Sequence, residues 1–362
     1  MTGGTPLGNG PRRRLILLGI GVGAVGALSG CGVHLQEDAP DIPVIPRRTR
    51  MPGEAALLDL LAGTQALVTA TKSAGTELTA VLTPLHVTQV GVLRDALRRG
   101  RVPSSVIAPA DRTPSPVPGA TPNSVGLAAA EASVLGDRTP YAAFDAALAA
   151  PVMALLAQRA AATTLLGGHP PAPNPPAPNP PSPAATTPSH AGIATGEPTP
   201  GAPAPSSSAA SPAPSPSATP RTADDPGLSG LLVSAREAVQ FLQVVQARAP
   251  KDDTATGLRA RALDTQTWLS ALTQGWEQAL GDEAPPASAT IALPFAVDSP
   301  EAGARLAAEA LTRVRAAYGR RIATLSVSAA RKGWGTFPDE LADIEVHAHA
   351  WGVALQAFPG LS

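Results

Sequence analysis

The stretch from residue 169 to 227 limits the fold more than any other, because it cannot join a packed core. Pro, Ala, Ser and Thr dominate it, and it contains the direct repeat Pro170-Pro171-Ala172-Pro173-Asn174, Pro175-Pro176-Ala177-Pro178-Asn179. Such a composition offers too little apolar surface to offset the entropy of ordering it, so a disordered or polyproline II linker is expected. Ser and Thr beside Pro are possible sugar acceptors, but the simpler role is that of a spacer. The chain of 362 residues is thereby divided into a region at 54–168 and another at 228–362.

Both regions read as helical. The chain is 44% apolar but only 3% aromatic, so its core must be built from Ala, Leu and Val, which suit close-packed helices better than a sheet. Leu57, Leu61, Gln65 and Val68 recur at helical spacing. After a break at Ala74-Gly75, Leu78, Leu82, Leu85, Gln89 and Val92 repeat the pattern, which predicts a helical hairpin. Pro84 lies inside the second run and either kinks it or starts a new helix capped by Thr83. A Pro-rich loop from 101 to 123 precedes a third run at 124–135 and a fourth at 141–166, where Pro151 predicts another kink.

In the second region, Leu228, Leu232, Ala235, Val239 and Leu242 line a first helix, and Leu258, Ala262, Thr265, Leu269, Leu272 and Trp276 a second. A third begins at Pro300, with Ser299 as its cap and Glu301 in its first turn. Leu341, Ile344, Ala348, Trp351 and Leu355 line a fourth, expected to run from Pro338-Asp339 to Pro359-Gly360. All four tryptophans fall in this region, so it should hold the better-filled core. The expectation is an all-α protein of two tandem four-helix bundles joined by the linker.

The amino terminus has the three parts of a signal peptide. Arg12-Arg13-Arg14 is followed by an apolar run from Leu15 to Leu28 and by Leu28-Ser29-Gly30-Cys31. About fourteen apolar residues are fewer than the roughly twenty that span a bilayer as a helix. The last four resemble a bacterial lipobox, which implies cleavage between Gly30 and Cys31 and a lipid on Cys31. No other cysteine exists, so a disulfide within the chain is impossible. Arg12 to Ile16 also resembles a twin-arginine export motif, although Pro11 precedes the pair; otherwise the arginines are a basic n-region. Residues 1–30 are thus the signal peptide and 31–53 a lipidated tether, which if flexible spans about 25 Å and if extended about 70 Å. The location implied is the outer face of a cell membrane, reached through the lipid. Formal net charge is −1, and losing the signal peptide removes three positive charges and no negative one, which does not suit a nucleic-acid binder.

Leu293-Pro294-Phe295-Ala296-Val297-Asp298-Ser299-Pro300 before a long helix, and a final helix with Trp351-Gly352 ending in Phe358-Pro359-Gly360-Leu361, resemble the ferritin-like domain of unknown function in lipoproteins of high-GC Gram-positive bacteria. The likeness covers about 135 residues. Leu82-Thr83-Pro84-Leu85-His86 is similar to a motif in the associated amino-terminal hairpin, with the histidine displaced. The resemblance implies that the second bundle is ferritin-like; the family has no established activity.

A ferritin-like di-iron centre uses a Glu from each of two helices and Glu-x-x-His from each of the other two. No predicted helix carries Glu-x-x-His. The nearest fragments are Gln65, His86 and Gln89 in the first region and Glu237, Asp264, Glu309, Glu345 and His349 in the second. Glu345 and His349 share a face beside the apolar stripe and are expected to form an exposed pair. Gln65, His86 and Gln89 lie on or beside apolar faces, which points first to an internal hydrogen-bonded polar cluster, with a ligand pocket or a metal as alternatives. No catalytic set, metal site or cofactor is expected from the sequence. The expected partners are membrane lipid, through the covalent anchor, and an envelope protein. The alternative is a metal- or ligand-binding ferritin-like protein or an enzyme of the envelope.

Overall fold

A computed structural model describes residues 48–112, 123–171, 225–249 and 257–361. The expected signal peptide, the expected lipobox Leu28-Ser29-Gly30-Cys31 and nearly all of the expected linker lie outside the described residues. The described residues from Arg50 onward belong to one compact unit. Among the described residues there are ten α-helices and no strand, so the chain is all-α.

The first region opens with the expected hairpin, α1 (Glu54–Ala74) and α2 (Glu77–Arg99). The turn works because Gly75 takes a left-handed conformation, φ 63°, that only glycine adopts readily. Thr76 then caps α2 in a reciprocal box with Thr79. Pro84 neither stops nor restarts this helix: α2 runs through it, and the Thr83 hydroxyl donates to the Thr79 carbonyl at 2.8 Å. A short helix, α3 (Ser104–Ala110), occupies the start of the stretch expected to be a loop. α4 (Ser124–Ala132) is capped by Asn123, and a 3₁₀ turn (Thr139–Ala143) leads to α5 (Ala146–Leu165), capped by Asp145.

In the second region, α6 (Leu228–Arg248) and α7 (Leu258–Leu280) form a second pair. α8 (Pro300–Thr324) starts as expected, with the Ser299 hydroxyl accepting from the Ala302 amide at 3.2 Å. α9 (Val327–Gly333) is short and was not legible in the apolar periodicity. α10 (Phe337–Ala350) ends earlier than Pro359-Gly360. The Val353 amide donates to the Ala348 carbonyl and the Gly352 amide to that of His349, a Schellman closure with Gly352 at φ 80°. The remaining segment, 353–361, is irregular rather than helical, with a bend at Ala357-Phe358 and a turn at Pro359-Gly360.

α5 is the hub. It packs on α4 in its own region and on α10 and α8 in the other, so both regions share one apolar core running from Leu57 to Trp351. Its small buried side chains, Ala149, Ala150, Ala154, Ala157 and Ala161, let neighbouring helices approach closely on several sides. α5 is long and apolar enough to cross a membrane, but most of it is buried inside the body. At one end of the seam Tyr141 and Phe144 pack against Trp334 with ring centroids 5.7 and 6.3 Å away. Beside them the Arg138 guanidinium, 5% exposed, reaches Asp339 at 2.6 Å and the Trp334 carbonyl at 3.0 Å.

Candidate functional site

The most unusual chemistry in the body is a set of polar side chains fully buried between α1, α2, α4 and α5. α4 and α5 carry one charged residue each, Glu131 and Arg159, and both are buried at 0% exposure. A buried charge is tolerated only when paired. The Arg159 Nε lies 3.2 Å from Glu131 Oε2, and the His86 Nε2 lies 2.9 Å from Glu131 Oε1. Both contacts lie within ion-pair distance but miss hydrogen-bond alignment, so the Arg159 charge faces the carboxylate without saturating it with donors. Burial pulls the Arg159 guanidinium below its ordinary range, and the Glu131 charge opposes that shift. The guanidinium also donates to the Thr64 hydroxyl and the Ala130 carbonyl, each at 3.4 Å.

The other face of His86 is set by a chain of amides. Gln89 Nε2 donates to Gln158 Oε1 at 2.9 Å and to the Ala357 carbonyl at 2.8 Å. That places its Oε1 toward His86 Nδ1, 3.1 Å away, so the ring donates from Nδ1. Gln158 Nε2 has no hydrogen-bond partner among the described residues. The set is a closed polar knot.

Of the three side chains expected to cluster, the structure brings together His86 and Gln89. Gln65 lies apart, half-buried, donating to Asp111 Oδ1 at 2.9 Å. Arg94 pairs with the same carboxylate and, with Gln65, holds it below the ordinary aspartate range. Gln65 sits on the side of α1 that faces α3, an element the periodicity did not reveal. Glu131, Gln158 and Arg159 were missed. The available signal was that each charge stands alone in an otherwise apolar helix.

Glu345 is not part of an exposed pair. It is fully buried, with Oε2 3.0 Å from an Arg315 nitrogen and Oε1 accepting from the Gln356 amide at 2.8 Å. The reason is tertiary: α10 lies between α5 and α8, so its buried arc is wider than the stripe through Leu341, Ile344 and Ala348. His349 is half-buried and has no hydrogen bond to Glu345; its Nδ1 has no partner among the described residues. His347 stacks on Trp268 with centroids 3.9 Å apart, and burial lowers its pKa against the pull of Asp264. Glu237 and Glu309 both pair with Arg313, at 3.1 and 2.9 Å. Among the described residues, no three His, Cys, Asp or Glu side chains converge as metal ligands would.

Glu345 makes a pH prediction. Desolvation raises its pKa above the ordinary 4.5, and Arg315 opposes the rise. Between the unfolded and the raised folded value the native state holds more protons than the unfolded one, so stability falls as pH rises through that window. Glu345→Gln removes this slope. Urea unfolding from pH 4 upward should show the wild-type chain losing stability relative to the variant; parallel pH profiles would refute the assignment.

A surface cleft of about 280 Å³ lies between α6 and the loop after α7, lined by Arg236, Glu237, Gln240 and Ser288. Its charges are already engaged: Arg236 with Glu277 at 2.7 Å and Glu237 with Arg313. In comparisons with known proteins, no protein-family model, no curated protein and no solved structure matches the chain.

Proposed function

We propose that the chain is an exported envelope lipoprotein, anchored through Cys31, whose helical body is a binding or structural module rather than an enzyme. In this reading the body derives from two tandem four-helix bundles, the second on a ferritin-like plan without its di-iron ligand set. The observation that carries the proposal is the order Arg12-Arg13-Arg14, Leu15 to Leu28, Leu28-Ser29-Gly30-Cys31, with a lone cysteine at the end of an apolar run too short to span a bilayer. Two structural facts support it. The long apolar helix α5 is committed to the core, and the compact unit starts only at residue 50, downstream of Cys31. The partners in this reading are membrane lipid, through the anchor, and a protein of the envelope.

Cys31→Ala should abolish incorporation of a labelled fatty acid and leave the precursor uncleaved in a bacterial host; unchanged labelling would remove the proposal. A second reading, a metal- or ligand-binding ferritin-like protein or enzyme, is favoured by the His86–Glu131 contact of 2.9 Å inside the first helical region. Elemental analysis of protein from its native envelope separates the two, since stoichiometric iron or manganese would select the second.

A further inference from the structure

After α10 the chain runs without a helix from Trp351 to Leu361, and this segment is held in an unusual way. Among the described residues, no backbone-to-backbone hydrogen bond is seen between residues 354–361 and a helix. Its main-chain atoms are gripped by side chains from three helices instead. Arg315 of α8 donates to the Ala354 carbonyl at 2.9 Å, Glu345 of α10 accepts from the Gln356 amide at 2.8 Å, and Gln89 of α2 donates to the Ala357 carbonyl at 2.8 Å. Two of these three side chains are fully buried and the third nearly so.

One side chain of the segment fills an apolar socket and a second, half-buried, lines the wall of an apolar cleft. Leu355 completes a small core otherwise made by Leu82, Leu127, Ala128, Ala162 and Leu166, all of them from the other region of the chain. Phe358 borders a cleft formed by Leu57, Leu93, Ala96 and Leu155 of α1, α2 and α5. Contacts to main-chain atoms give affinity to an extended segment whatever its sequence, and sockets for selected side chains give specificity; extended-peptide recognition divides the work in this way. Gly352, exposed and at φ 80°, supplies a pivot where the segment leaves α10.

We infer that the seam between the two helical regions is a peptide-binding groove, filled in this protein by its own carboxy-terminal segment as a detachable clasp. The groove takes a non-helical segment of the form Leu-x-x-Phe-Pro, here Leu355 to Pro359. Closure reinforces the junction that α5 already makes between the two regions, and opening frees the groove for a peptide of the same form. This deepens the reading of the body as a binding module by naming the class of partner. It is independent of the anchor, because peptide binding and lipid labelling are separate readouts.

The test uses a fluorescein-labelled peptide of residues 351–361 and fluorescence anisotropy, with full-length wild-type, Leu355→Ala and Phe358→Ala chains. In the intact chain the groove is occupied, and apparent affinity scales with the fraction of open molecules. Losing a socket side chain raises that fraction, so the peptide should bind each variant at least about tenfold more tightly than wild type. Equal binding to all three chains, or no binding to variants that keep their helical circular dichroism, overturns the inference. Should the variants lose helical content, hydrogen exchange on the wild-type chain decides. The Gln356 and Gly360 amides, both bonded to side chains, must then exchange well ahead of the α5 amides through a local opening. Exchange only at the rate of global unfolding overturns the clasp.

Discussion

Arg159→Leu should destabilise the protein by about 3–5 kcal/mol, which is the usual effect of removing one partner from a buried ion pair. Glu131 would then keep a fully buried carboxylate with His86 Nε2 as its remaining close partner at 2.9 Å. The Thr64 hydroxyl would still be satisfied, since it donates to the Leu60 carbonyl at 2.6 Å, so the loss belongs to the carboxylate. Replacing both charges, Glu131→Leu with Arg159→Leu, should recover most of that loss, because an apolar pair of similar volume needs no desolvation. Urea unfolding followed by circular dichroism measures both. A single variant within about 1 kcal/mol of wild type would mean that water reaches the knot and that its enclosure is wrong.

Gly319→Ala should be nearly as damaging, for a steric reason. A Cβ built on Gly319 of α8 would lie 1.9 Å from the Gly360 carbonyl oxygen and 2.2 Å from its carbon. The obstruction is backbone, which no rotamer change relieves. It is also reciprocal, since a Cβ on Gly360 would meet the Arg315 carbonyl oxygen at 2.5 Å. The carboxy-terminal segment must lift or α8 must shift, with an expected loss of about 3 kcal/mol. Gly275→Ala in α7 is the control. Nothing lies within 4 Å of its built Cβ, and the higher helix propensity of Ala should stabilise the chain by up to about 1 kcal/mol. Opposite signs for the two substitutions are the expected result, and two stabilising ones would place the segment away from α8.

Much of the helical layout was legible because amphipathic periodicity and capping residues are local. Ser299-Pro300 opened α8 where expected, and Ala74-Gly75 broke α1 from α2. The errors were of one kind. α3 and α9, seven residues each, are too short to show a repeating apolar face. α10 ends earlier than the spacing predicts because Leu355 continues its apolar pattern, although that side chain is buried against α2, α4 and α5 from an irregular segment.

The candidate site was legible only in fragments. His86 and Gln89 share a helix face, so their spacing brought them together in advance. Gln65 shares the spacing of its own helix, but its partner Asp111 lies 46 positions away. Glu131 and Arg159 each stand alone in an apolar helix, and a lone charge does not say what it will meet.

By itself the sequence determined that the chain is all-α, where most of its long helices begin, and that one cysteine follows a short apolar run. These properties depend on neighbours a few positions apart, whose physics is the period of a helix and the demands of its ends. Only the tertiary structure decided that α5 is a shared hub, that Glu345 is buried, and that residues 351–361 stitch the two regions together. Those outcomes depend on pairs such as Gln89 with Ala357, 268 positions apart. Whether such groups meet is settled by how helices pack, and a buried polar group is stable only once its distant partner has arrived.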